Sequence, residues 1–274
     1  MTMGSHLLGH HQASPYFGFT DACNADRPTV ILASGQACVW YHLTLASKDG
    51  DWIAREDESA LAVVRAELAR RGARYRLGAP LDIRWLSAGW SSHFEAVDHE
   101  GLRHRFDFVS RPPRLQAEQL TEIWKTVDAG APAVVTRRDL IRLKQTLRLK
   151  DYAFVGALAA QLTDPLDQIR WTLDPQHLAD LLRRHPDVAA NLAQVRPACA
   201  AVPQEVDALA VAIDAEIRTL RRQDEQRIAS FTAAMQPWVE RFRSLDLDRL
   251  TLDEAHARCC SAASGSLPTQ VPHP

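Results

Sequence analysis

The spacing of hydrophobic residues changes about halfway along the chain. In the first half, short apolar runs and alternating polar and apolar residues predict β-strands, with amphipathic helices between them. The predicted strands are 29–33, 46–54, 81–86, 94–97 and 102–109. The predicted helices of this half are 36–45 and 57–71.

From residue 115 onward, apolar residues recur at helical spacing. The predicted helices are 115–128, 137–147, 152–162, 175–185 and 205–242. The last one carries a long apolar stripe, and Pro237 is expected to kink or end it. This order predicts an α/β (α+β) fold, with a mixed sheet and flanking helices followed by a helical C-terminal module.

Composition shifts suggest four segments along the chain. We expect a flexible N-terminus at 1–20, a sheet-containing domain at 21–160, a helical module at 161–258 and a disordered tail at 259–274. The tail is assigned by its Ser, Ala, Gly and Pro content, which is poor in groups that build a core.

Bulk properties exclude several classes of protein. The chain has 274 residues, 46% of them hydrophobic, which is enough to bury a core. Its net charge of −2 provides no overall basic field for nucleic acid. No apolar run approaches the roughly 20 residues that span a bilayer, and no signal peptide is recognisable. The five cysteines have no zinc-type spacing, so the sequence predicts reduced thiols, a cytoplasmic location and no membrane partner.

Three acidic residues form the strongest chemical pattern. Asp49 and Asp51 stand at i and i+2 on a predicted strand, so their side chains share one face. Asp107 lies between two phenylalanines on a later strand, where an unpaired carboxylate is costly. Neighbouring carboxylates repel unless a cation neutralises them, and oxygen ligands suit Mg²⁺. If the strands are adjacent, the three acids could hold metals for phosphoryl or nucleotidyl transfer.

Less specific explanations exist for the same residues. An Asp-x-Asp pair on a strand edge is more often a solvated face, and Asp107 could pair with Arg103 or Arg105. Trp52, next to the acids, could stack on a nucleobase, although most tryptophans belong to a core.

A short turn precedes the acids. Ser34, Gly35 and Gln36 join the first strand to a helix, where small residues and backbone N–H groups could approach a phosphate. Such a turn alone is weak support for a binding site.

The order of these pieces resembles the DNA polymerase β-type nucleotidyltransferase superfamily. Val-Ile-Leu-Ala-Ser-Gly-Gln-Ala, Ser-Lys-Asp-Gly-Asp-Trp and Phe-Asp-Phe are similar to its hG[GS], Dh[DE]h and h[DE]h motifs. Bacterial AbiEii-type toxins and minimal nucleotidyltransferases are especially similar, over about residues 28–160. The resemblance implies a nucleotidyltransferase-like sheet and a possible role in a toxin–antitoxin pair.

The resemblance also implies roles for individual residues. It makes Asp49 and Asp51 the paired metal ligands, and Asp107 the third ligand, which helps to activate the attacking hydroxyl. It places Ser34, Gly35 and Gln36 at the nucleotide phosphates, and more loosely it places Lys144 at the triphosphate. Two positions depart from the motifs. Ser34 replaces the first glycine, and Gly50 replaces the apolar residue between the acids.

Two hypotheses follow from the sequence. The first is an enzyme that uses Mg²⁺ or Mn²⁺ to move NMP from an NTP to a hydroxyl of RNA, protein or a small molecule. The second is a catalytically degenerate relative that acts as a protein-interaction module through its C-terminal helices.

Overall fold

The computed structural model describes residues 14–200 and 205–271. The strands are β1 (Val30–Ala33), β2 (Asp49–Ala54), β3 (Arg74–Tyr75), β4 (Ser92–Val97) and β5 (Arg103–Val109). The helices of the first half are α1 (Pro15–Cys23), α2 (Ser34–Trp40), α3 (Glu58–Arg70), α4 (Ile83–Leu86) and α5 (Ala117–Asp128). Those of the second half are α6 (Arg137–Leu143), α7 (Asp151–Ala159), α8 (Pro165–Trp171), α9 (Pro175–Arg184), α10 (Pro186–Leu192), a 3₁₀ turn (Pro197–Ala200), α11 (Val206–Arg243) and α12 (Leu252–Ala263).

The five strands form one mixed sheet in the order β1-β2-β5-β4-β3. β2 and β5 run parallel, whereas the other neighbouring pairs are antiparallel. The predicted combination of a mixed sheet with many helices is therefore confirmed.

One face of the sheet packs against the hydrophobic core, which is rich in aromatic side chains. Trp52 is fully buried and stacks near Phe106 and Phe108, with ring centroids 5.8 and 5.3 Å away. Its indole N–H donates to Thr20 Oγ1 at 2.8 Å. Trp52 is thus a core residue, and the suggestion that it stacks on a base is wrong.

The chain divides into two compact units, but the boundary between them is not at residue 160 as predicted. The first contains residues 14–135 and 230–271, and the second contains residues 136–229 apart from the undescribed 201–204. The boundary was misplaced because the end of α11 and all of α12 pack with the sheet. Within this first unit, the end of α11 and α12 contribute to a second aromatic cluster, which is built on Trp85, Trp90, Trp238 and Cys259.

Both predicted flexible ends need correction. Residues 1–13 lie outside the described residues, but Phe17 and Phe19 are buried in α1, whose first turn is capped by Ser14. The predicted tail contains the end of α12, followed by Leu267 and Val271, which pack on the aromatic cluster. Residues 272–274 lie outside the described residues. Apolar burial outweighed a composition that favours disorder.

One other local prediction was wrong, and one of the two alternatives for Pro237 is excluded. The predicted strand at 81–86 contains the short helix α4, because the Asp82 side chain accepts from Arg84 N and caps the first turn. Pro237 does not end α11, which continues to Arg243.

Candidate functional site

Six neighbouring polar residues lie on the sheet face opposite the aromatic core, with Arg103 beside them at the start of β5. This face is fixed by alternation along three neighbouring strands. The residues are Asp49 and Asp51 on β2, Arg105 and Asp107 on β5, and His93 and Glu95 on β4.

Asp51 and Asp107 are direct partners in the parallel β2–β5 ladder. Neighbouring strands are about 4.8 Å apart, so these two acids stand side by side. Asp49 lies two residues earlier on the same face, opposite Arg105. The structure therefore brings the three predicted acids to one face of the sheet.

Asp49 presents a buried carboxylate oxygen without a hydrogen bond. Among the described residues, no donor reaches Asp49 Oδ1, and Arg105 Nη1 lies 3.7 Å away, beyond hydrogen-bond distance. A buried acceptor of this kind is costly unless a cation or donor satisfies it. Carboxylate oxygens are the ligands that a hard divalent cation prefers. Among the described residues, however, the ligand atoms of the three acids do not all lie within 4.8 Å of one another, so side chains would have to move for the three to share an ion.

His93 is a member of this site that the sequence did not suggest. Its Nδ1 lies 2.7 Å from Asp107 Oδ1, and its Nε2 lies 2.8 Å from Ser91 Oγ. A β-carbon on Gly78 would come within 2.5 Å of the imidazole, so the ring is packed against the glycine backbone. The alternation His93-Phe94-Glu95 carries a signal, since it places His93 on the polar face.

Arg105 links two acids on the same face. It lies 3.7 Å from Asp49 and 3.6 Å from Glu95, while Arg103 lies 3.3 Å from Glu95. The suggested pairing of Asp107 with Arg103 or Arg105 is replaced in the structure by its hydrogen bond with His93.

The predicted phosphate turn has an unusual backbone. Ser34 has a φ of 48°, in the left-handed region that favours glycine. A β-carbon on Gly35 would lie 2.2 Å from Ser47 Oγ, so this glycine allows a close approach. The Gln36 amide donates to the carbonyl of Ser47 at 2.9 Å and holds the chain that leads into β2.

Close packing explains why a glycine stands at position 50. A β-carbon there would come within 2.2 Å of the Trp52 ring and 2.5 Å of Tyr16. The departure from the motif between the two acids therefore follows from the aromatic core below them.

Lys144 belongs to the second unit. Its side chain is buried, with Nζ 3.9 Å from Asp151 Oδ1 and 5.3 Å from the centre of the Phe154 ring. Asp151 also accepts from Arg148 Nε at 2.9 Å. These contacts account for Lys144 within its own unit.

The pKa of the Tyr16 hydroxyl is affected by all three acids. Burial raises the pKa of its hydroxyl, and the negative charges of Asp49, Asp107 and Asp51 raise that pKa further. The hydroxyl donates to the Lys48 carbonyl at 2.5 Å, at the start of β2. The acids therefore create a negative field that a cation would relieve.

A cavity of about 600 Å³ is lined by Asp49, but not by Asp51 or Asp107. Its lining combines apolar Phe17 and Val39 with the cationic side chains of Lys48, Arg103 and Arg105. This volume falls within the range of small-molecule sites, about 300–1,000 Å³. A molecule with both an apolar ring and negative groups would suit such a lining.

The comparisons with known proteins return no relative. No protein-family model matches the chain, and no curated protein or solved structure matches it either. Within residues 14–200 and 205–271, no helix is both long and apolar enough to cross a membrane.

Proposed function

We propose that this protein is a divalent-metal-dependent nucleotidyltransferase. The observation that carries the proposal is the side-by-side pairing of Asp51 with Asp107, with Asp49 on the same face. Three carboxylates in this arrangement would hold Mg²⁺ or Mn²⁺. The bound metal would polarise the phosphate and align the attacking and leaving oxygens.

Other residues of the chain would position the reactants. The adjoining cavity could take an NTP, with its base against the apolar lining and its phosphates near Lys48 and Arg105. The hydrogen bond from His93 holds one oxygen of Asp107 and leaves its other oxygen for the acceptor hydroxyl or metal. The attacking hydroxyl would lose its proton at Asp107 while NMP is transferred and pyrophosphate leaves.

The acceptor class stays open between RNA, protein and a small molecule. The net charge of −2 favours a protein or small acceptor over an extended RNA surface. A bacterial toxin–antitoxin role is a further prediction from the resemblance, and growth arrest on expression would test it.

A degenerate, non-catalytic protein is the second candidate. It is favoured by the contacts of Asp49 with Arg105 and of Asp107 with His93, since ionic and hydrogen-bonding partners can replace a metal. The apolar stripe of the long helix is largely packed inside the two units, for example at Ile213 and Trp238, so protein binding would fall to exposed apolar residues of that helix such as Val211 and Ile228.

Ligand-dependent melting and labelled transfer separate the two candidates. Mg²⁺ with NTP should raise the melting temperature of the wild type, because a ligand of the folded state stabilises it. Asp51→Asn should abolish this rise and the transfer of label to cell RNA or protein. Asp248→Asn is the matched control, because its side chain is 90% exposed. If the folded wild type shows neither a rise in melting temperature nor transfer of label, the enzyme hypothesis is overturned and the interaction module is favoured.

A further inference from the structure

A second polar cluster lies in the sheet-containing unit, away from the six-residue face. Asp82 stands just before α4, and His256 and Cys260 are four residues apart on α12. Residues at i and i+4 share one face of a helix, the spacing used by helical pairs of metal ligands. One ligand atom from each of the three residues lies within 4.8 Å of the other two.

The hydrogen bonds around Asp82 leave one oxygen lone pair for this cluster. Oδ1 accepts from the Arg84 backbone N–H and from Arg84 Nε, both at 2.9 Å. Oδ2 accepts from Arg84 Nη2 at 2.9 Å and lies 3.8 Å from Cys260 Sγ. A carboxylate has about four lone-pair sites, so the remaining one belongs to the oxygen near the thiol.

The imidazole of His256 also keeps one nitrogen for the cluster. Its Nδ1 lies 2.8 Å from Tyr75 Oη, and its Nε2 lies 3.6 Å from Cys260 Sγ. Sγ is also 3.8 Å from Nδ1, so the ring must turn for Nε2 to face a metal. This torsion is broad for histidine. A hydrogen bond on the opposite nitrogen is the usual support of a metal-bound histidine.

Two of the three separations are close to those of a tetrahedral site, and the third, between Asp82 and His256, is within 4.8 Å. Zinc bonds of about 2.0–2.3 Å give ligand-to-ligand distances of roughly 3.4–3.6 Å at tetrahedral angles. The observed distances from Cys260 Sγ, 3.6 Å to nitrogen and 3.8 Å to oxygen, are within a few tenths of an ångström. Small side-chain movements would therefore close the site around an ion.

The electrostatics of the three residues are compatible with a dication. Burial, followed by the charge of Arg65, lowers the pKa of His256 to about 4, so the imidazole is neutral at pH 7. Burial and the neighbouring Asp82 raise the pKa of Cys260 to about 12, so the free thiol keeps its proton. Metal binding would release that proton to solvent and form the metal–sulfur bond. One thiolate and one carboxylate then offset the two positive charges of the ion, while Arg84 also pairs with the carboxylate.

We propose that Asp82, His256 and Cys260 form a zinc site that joins the start of α4 to α12. The nitrogen and sulfur ligands favour Zn²⁺ over Mg²⁺, which prefers oxygen alone. The fourth position is left to water, because three protein ligands complete only part of the tetrahedron. This site is separate in composition and in metal preference from the three-carboxylate site.

Cobalt provides the direct test, because it replaces zinc and absorbs light. Titration of the metal-free full chain with Co²⁺ should give a thiolate-to-cobalt charge-transfer band that saturates at one ion per chain. Added Zn²⁺ should remove the band, whereas millimolar Mg²⁺ should not. Cys260→Ser should abolish the band, and His256→Gln should weaken cobalt binding at least ~10-fold.

Two controls locate the site. Cys259→Ala should retain the band, because Cys259 is buried in the aromatic cluster rather than among the ligand atoms. Asp51→Asn should also retain it, so that failure of the zinc site and failure of the proposed transferase are distinguished. Circular dichroism checks the fold of each variant. If Cys260→Ser is unfolded, the cobalt affinity of His256→Gln tests the proposal instead. No band in the wild type, or an equal band in a folded Cys260→Ser, would overturn the proposal.

Discussion

Asp51 and Asp107 face the same side of the sheet as partners in its parallel pair of strands, β2 and β5. Their proximity places two like charges next to each other and makes the stability of the metal-free protein depend on them. Asp51→Asn should therefore increase the free energy of unfolding by about 0.2–1 kcal/mol when metal is absent. Urea denaturation of metal-free protein measures this change.

The same substitution should have the opposite effect on the metal-bound protein. With Mg²⁺ present, the wild type gains stability that Asp51→Asn cannot gain, so the order of stability reverses. A substantial loss of stability of Asp51→Asn without metal would instead indicate that Asp51 is a structural ion-pair partner.

The left-handed backbone of Ser34 predicts a difference between two substitutions. An L-residue in this conformation costs roughly 1–2 kcal/mol compared with glycine. Ser34→Gly should therefore be more stable than Ser34→Ala by about that amount, since both variants lose the hydroxyl. Thermal and urea denaturation of the two variants gives the comparison. Equal free energies of unfolding for the two variants would show that the backbone at position 34 is not strained.

The close approach of Gly35 to Ser47 predicts a rescue. Gly35→Ala should destabilise the protein by about 1–3 kcal/mol, the typical cost of overpacking. The double variant Gly35→Ala with Ser47→Gly should recover most of that loss, because the added β-carbon meets the Ser47 side chain. A double-mutant cycle measures the coupling. Purely additive effects would show that the contact is not the cause.

Glu67 predicts a pH dependence of stability. Burial alone would raise the pKa of Glu67, but hydrogen bonds from Arg70 and Arg71 outweigh it and lower the pKa. A carboxyl group with a lowered pKa stabilises the fold above its unfolded pKa, about 4.3. That contribution is lost as the pH falls through the folded-state pKa.

Glu67→Gln tests this dependence. At pH 7 the substitution should lower the free energy of unfolding by about 1 kcal/mol, because charge-assisted hydrogen bonds are lost. The difference from wild type should shrink as the pH falls below about 4. Unfolding curves over this range are the measurement, and a difference that grows toward acid would refute the assignment.

The sequence predicted which side chains share a face, but not which strands meet. Alternation placed Asp49 and Asp51 together because it depends on the local period of a strand. The pairing of β2 with β5 joins distant segments, and only the resemblance implied it. His93 could have been found from the alternation of β4, but its bond to Asp107 depends on the register with β5.

The errors at 81–86 and in the predicted tail share one physical cause, which adds to the local cap of Asp82 on α4. Both segments were judged on pattern or composition, whereas tertiary contacts also stabilise them. Trp85 Nε1 donates to the carbonyl of Leu267 at 3.0 Å, so these two segments stabilise each other. Their mutual burial cannot be seen in either segment alone.

The unit that contains the sheet is assembled from two stretches of chain, 14–135 and 230–271. During synthesis the ribosome must add all of the intervening residues before Trp238 and α12 can cover Trp85 and Trp90. At ~5–20 residues per second, this leaves the nascent aromatic surface open for on the order of ten seconds. A ribosome-bound chain paused before residue 230 should therefore bind chaperones that recognise exposed apolar side chains.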